Sequence, residues 1–147
     1  MQTTRKSWPT VVTLTTQITQ DNSREEFSFE EEGILTLTQN ALYIRYTERQ
    51  QDLETPVTFK ISKIDDILLH RHNDFTDMQL HFAPNKTFQT QYVTTQGNIP
   101  IAVRTDTFVN QITAEHPYGK LAITYSLLNN DSIIGTYTLN LAIAKAK

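Results

Sequence analysis

A chain of 147 residues with 13 basic and 16 acidic side chains, a net charge of −3 and no cysteine is sized for one domain. The missing cysteines exclude disulfide scaffolds, Cys-based zinc sites, thiol redox motifs and Cys nucleophiles, and the mild acidity argues against nucleic acid as a partner. With 38% apolar residues and a mean hydropathy of −0.42, the composition is too polar for membrane spans, yet a domain of this length buries about 70% of its unfolded surface.

Met1 to Lys6 carries two positive charges, but the Val11-Val12-Thr13-Leu14-Thr15-Thr16 that follows alternates and does not form the continuous apolar core of a secretory signal. The expected compartment is therefore the cytoplasm. Residues 1–9 are expected to be irregular, and the single domain to span 1–147.

Threonine is the commonest residue, with 23 copies, and together with Val, Ile, Tyr and Phe it suits a pleated, half-buried surface. Period-two alternation predicts strands over 10–20, 25–32, 33–38, 41–48, 55–62, 65–72, 77–83, 86–95, 99–108, 111–116, 120–128 and 132–143. Between many of them stand turn residues, such as Asp21-Asn22-Ser23, Asn73-Asp74, Gly97-Asn98 and Asn129-Asn130-Asp131. The best helical stretches are Leu139 to Lys147 and a short turn at Phe108 to Ala114, and neither sustains a helical period. The fold class that follows is all-β: one antiparallel, mostly up-and-down barrel of about 8–12 short strands.

Alternation also assigns faces. Leu42, Ile44, Tyr46 and Glu48 point inward from one strand, and Ile67, Leu69 and Arg71 from another. Met78, Leu80 and Phe82 follow, then Phe88, Thr90, Tyr92 and Thr94, then Ile99, Ile101, Val103, Thr105 and Thr107. Short loops make neighbouring strands antiparallel, so alternate strands end at the same rim. Glu48, Arg71 and Thr94 then converge at one mouth, with Tyr46 and Tyr92 one layer deeper. Two readings stay open. Either Glu48 and Arg71 form an ion pair that plugs the barrel, or Tyr46, Glu48, Arg71, Tyr92 and Thr94 receive a small apolar or anionic amphipathic ligand.

His70, His72 and His81 are a weak metal candidate. Pairing Leu69 with Phe82 and Arg71 with Leu80 places His70 opposite His81, and His72 opposite Gln79. The three lie on the polar outer face, so no native metal and no cofactor is expected. A Gly-x-Ser-x-Gly elbow is missing, and four glycines cannot build a phosphate-cradling loop. Asp65 and Asp66 point to opposite sides of a strand. No catalytic residue emerges, and an enzyme is not expected. The acidic run Glu30-Glu31-Glu32, with Glu25 and Glu26, reads as a solvated strand edge whose charges discourage aggregation.

Gly33, Tyr46-Thr47-Glu48, the Thr58 to Ile61 segment, Leu69, Arg71, Met78, Phe82, Tyr92, Thr94, Gly97, Tyr125 and Leu127 occur in an order and spacing that resembles the YwiB-like family. The likeness runs from about residue 10 to residue 143. This family of small bacterial proteins is classed as a domain of unknown function with a calycin (lipocalin-like) barrel. The resemblance implies the barrel and brings no activity, cofactor or catalytic residue. The lipocalin Gly-x-Trp signature is missing around Trp8, which is expected to close the barrel bottom or pack near the N-terminus. Two functional classes follow: a non-catalytic ligand-binding barrel, and an interaction or homodimerising module using the outer face of Tyr43, Arg45, His70, His72 and His81.

Overall fold

A computed structural model of the chain describes residues 5–146. Among the described residues ten strands follow one another: β1 (Lys6–Gln20), β2 (Ser23–Leu37), β3 (Leu42–Gln50), β4 (Leu53–Lys63), β5 (Asp66–His72), β6 (Thr76–Phe82), β7 (Thr87–Thr94), β8 (Gly97–Asn110), β9 (Gly119–Asn129) and β10 (Ser132–Lys145). Each pairs antiparallel with its neighbour in sequence, and β1 pairs with β10 to close the barrel. No helix of the described residues is long and apolar enough to cross a membrane. The stretch 139–145 is strand rather than helix, because its alternate residues Leu139, Leu141 and Ile143 are buried at period two.

Three differences from the sequence reading have local causes. The segments 25–32 and 33–38 form one strand that bends at Gly33. Beyond that residue β2 pairs with β3 only from Gly33↔Tyr46 to Leu37↔Leu42, while β1 follows β2 along its whole length. Continuing the β3 register past Gly33 would oppose Glu31 to Glu48, two carboxylates on one face. Instead Glu31 accepts a hydrogen bond from Arg49 at 2.8 Å. The segment 111–116 is a loop, not a strand. It is tied down by Asn110, whose amide donates to the carbonyls of Ile64 and Ile112 and whose oxygen accepts the Ile112 amide. Ile112 is thereby fully buried as a plug for the lower end. Finally, residues 6–9 already belong to β1. They pair with β2 on one side only, because the β10 ladder begins at Thr10, and an edge position tolerates the missing N–H of Pro9. Trp8 packs against the core from this lower end.

The inward faces of β3, β5 and β6 are as alternation predicts. Leu42, Ile44, Ile67, Leu69, Leu80 and Phe82 are all buried, and Phe59 of β4 joins them. On β8 the pattern holds through Ile101, Val103 and Thr105 and then flips. A bulge at Asp106 breaks the ladder between Thr105 and Thr107, so Thr107 is exposed and Phe108 packs inward. Ile99, at the start of the strand, is also exposed.

Gly33 has no room for a side chain. A Cβ there would lie 2.7 Å from the Arg45 carbonyl oxygen and 2.9 Å from Val12. Gly33→Val is expected to cost about 1–3 kcal/mol through overpacking at the bend, measured as the loss in urea-denaturation free energy.

Candidate functional site

The odd-numbered strands all finish at one rim, and the turns 21–22, 51–52, 73–75, 95–96 and 130–131 surround it. Within this mouth Arg71 of β5 reaches past β4 to Glu48 of β3. Its Nε donates to Oε1 at 3.0 Å and its Nη2 to Oε2 at 2.9 Å. This fork is the strong bidentate form of the interaction. The Tyr46 hydroxyl donates to the same Oε2 at 2.7 Å. The Glu48 side chain is only 8% exposed and that of Arg71 25%. Two of the five N–H donors of the guanidinium are used in this way.

The ion pair sits between the barrel core and a cavity of about 280 Å³. Phe27 and Phe29 of β2 line one part of it, and Tyr125 and Leu127 of β9 with Tyr137 of β10 another. Thr16, Ile18, Gln50 and Met78 complete the wall with Glu48 and Arg71. The Tyr125 and Tyr137 rings stack with centroids 4.9 Å apart and planes 4° from parallel. Tyr125 also tilts against Phe82 in the core at 4.8 Å. Aromatic packing of this kind fixes the rings in place. A second, larger concavity of about 610 Å³ lies where β2 bends away from β3, lined by Glu32, Ile34, Arg45, Arg49 and Pro56 among others.

Burial, the Glu48 charge and its hydrogen bond push the Tyr46 phenol well above its ordinary value. Burial does the same for Tyr125, against the opposing influence of Arg71. For Arg71 burial works against the cation, but the hydrogen bonds and charge of Glu48 outweigh it and hold its pKa above the usual guanidinium value.

Of the residues expected at the mouth, Tyr46, Glu48 and Arg71 meet in one hydrogen-bonded group. Tyr92 packs on the core opposite Met78 and Ile99, outside the cavity lining. Thr94 belongs to the β7–β8 turn: its hydroxyl donates to the Gly97 carbonyl and accepts the Gln96 amide. Phe27, Phe29 and Tyr137 are the residues that sequence reasoning missed. Tyr137 comes from β10, whose place beside β1 in the closed barrel no hairpin argument supplies, and Phe27 and Phe29 come from the part of β2 that leaves β3 below the mouth.

The histidines do not converge. Ile67 pairs with Phe82 and Leu69 with Leu80, so His70 faces Gln79, His72 faces Asp77 and His81 faces Leu68. The register is two residues off the expected one because Asn73 closes the turn in three residues. Its side-chain oxygen accepts the amides of Phe75 and Thr76, and its own amide donates to the Thr76 carbonyl. His70 instead bonds Asp77 at 2.7 Å, and His81 bonds Asp66 while stacking on Phe88. Among the described residues no group of three or more His, Asp or Glu is placed to hold a metal ion. On the same outer face, the Tyr43 ring lies under the cations of Arg45 and Lys60. The acidic stretch of β2 is an edge as expected, because residues 23–32 pair with β1 alone.

Replacing Arg71 alone by Met leaves a buried carboxylate unpaired and is expected to cost about 3–5 kcal/mol. The double change Glu48→Leu with Arg71→Met should recover most of that loss in chemical denaturation, since the desolvation cost leaves with the charges. The tyrosines give a pH signature. A phenol whose folded pKa lies above the unfolded value near 10 contributes stability that is complete below pH 10 and is lost as pH rises beyond it. Stability followed from pH 9 to 12 should fall above about pH 10, and less steeply in Tyr46→Phe.

Comparison with known proteins agrees with this architecture. No curated protein matches the chain. A crystal structure titled as the ywiB protein from Bacillus subtilis superposes with a TM-score of 0.79 at 15% identity, covering 96% of this chain and 94% of that one, which shows a shared fold. The profile of the domain of unknown function DUF1934 matches residues 12–141, and the chain belongs to that family.

Proposed function

We propose that this barrel binds, without catalysis, a small apolar or amphipathic molecule at its mouth. The observation that carries the reading is the cavity itself: about 280 Å³, walled by Ile18, Phe27, Phe29, Leu127 and Tyr137, with one polar pair at its inner side. Its size falls near the lower end of the range typical of small-molecule sites, and an apolar lining with a few fixed polar groups is their usual make-up. The Glu48–Arg71–Tyr46 group adds rigidity. Its bonds lock three side chains of β3 and β5 to one another, so little ordering remains to be done on binding. The guanidinium keeps N–H groups beyond those given to Glu48, which can meet an oxygen of the bound molecule.

N-phenyl-1-naphthylamine, a neutral apolar dye whose fluorescence rises on leaving water, tests this. Wild-type protein should bind about one equivalent. Ile18→Trp, which fills the entrance from a half-buried position, should weaken binding at least tenfold with the melting temperature unchanged. Absence of dye binding, joined to a stable dimer by native mass spectrometry, would favour an interaction module acting through the outer face of Tyr43, Arg45, His70, His72 and His81.

A further inference from the structure

We infer that the molecule received at the mouth is a cationic amphiphile, an apolar group carrying an amine or quaternary ammonium head. The inference rests on the binding reading above and specifies its ligand class. It starts from the distribution of charge along the barrel axis. Four of the five turns at the mouth carry an aspartate near the tip: Asp21, Asp52, Asp74 and Asp131. Glu25, Glu26, Glu54 and Asp77 lie on the adjoining strand ends. Two of the mouth's arginines are already engaged by carboxylates, Arg49 by Glu31 and Glu54, and Arg71 by Glu48. Arg24 hydrogen-bonds Gln17. The opposite end leans the other way, with Lys6, Lys63, Lys86, Lys120 and Lys145 on its strand ends and loops outnumbering Asp65, Asp66 and Glu115.

Turn chemistry does not require this. Positive φ at Asp21, Asn22, Asn130 and Asp131 is served equally by asparagine, so the negative charge is additional to what the chain reversal needs. The same rim exposes large apolar side chains, Leu53, Phe75, Val93, Ile99, Ile133 and Ile134. Surface that is both apolar and anionic fits the junction between a hydrocarbon group and a positive head.

The cavity below supplies the second half of the argument. Its one cation is neutralised by a bidentate carboxylate, so an entering carboxylate finds no net positive charge, only a negative field at the rim. Thr16 borders this cavity, is more than nine-tenths buried, and its hydroxyl has no hydrogen-bond partner. The tail then lies among Phe27, Phe29, Leu127 and Tyr137, and the cationic head remains in the acidic rim.

Displacement of bound N-phenyl-1-naphthylamine by octyltrimethylammonium and octanoate, each below its micellar concentration, and by octanol below its solubility limit tests the assignment. The expected order is octyltrimethylammonium first, at least tenfold ahead of octanoate at low salt, with the gap shrinking as salt shortens the screening length. The triple variant Asp52→Asn, Asp74→Asn, Asp131→Asn should bind the dye unchanged and lose most of the gap. Octanoate displacing the dye as well as or better than the ammonium compound overturns the cationic assignment while leaving the binding barrel standing. So does a preference unaffected by both salt and the triple variant. A protein that binds no dye overturns both.

Discussion

The bidentate contact between Glu48 and Arg71 is the constraint around which the upper half of the barrel is arranged. It joins two strands that are not neighbours, spanning β4, and it places both partners on the inner face where water is scarce. An isolated charge at either position would be intolerable, and the pair becomes acceptable because both carboxylate oxygens of Glu48 are met by the Arg71 fork. Tyr46 completes the arrangement by occupying the second site on Oε2. The bend at Gly33 has the same root. A straight β2 would bring Glu31 beside Glu48, and the strand instead turns away and hands Glu31 to Arg49.

The turning away has a geometric result. The first ten residues of β2 part from β3, stay paired to β1, and carry Phe27 and Phe29 over the mouth. A barrel filled by side chains to its lower end, where Ile112 is a plug, thus acquires an apolar hollow above its ion pair. Fold alone does not imply function. The hollow, the neutralised arginine and the rim are what give this member of the DUF1934 family a chemical character.

Much of this was legible in the sequence because inside and outside alternate with a period of two. That periodicity survives any uncertainty in loop length, so Leu42 to Glu48 and Ile67 to Arg71 could be assigned to the interior, and hairpin logic then brought Glu48 and Arg71 to one rim. Register is a different matter. It depends on where a turn closes, and Asn73 closes its turn through side-chain bonds that the residue type permits without dictating. The bulge at Asp106 inverted the face of Thr107 for a similar reason: one extra residue shifts parity, and nothing in the local pattern announces it. Tyr137 was hidden because the β1–β10 seam lies beyond neighbour-to-neighbour reasoning, and the β2 phenylalanines because the departure of β2 from β3 at Gly33 is a register event that alternation does not announce.

That seam has a bearing on how the molecule is made. Residues 10–19 find their partners in 136–145, contacts separated by nearly the full chain, which carry the greatest loop-closure entropy and form late. Until β10 forms, β1 has a partner on one side only. Thr10, Val12 and Leu14, buried in the closed barrel, lie along that open margin until then. Until β10 docks, that margin is open to other strands, and the threonine-rich make-up of β1 keeps it more polar than a wholly aliphatic strand would be.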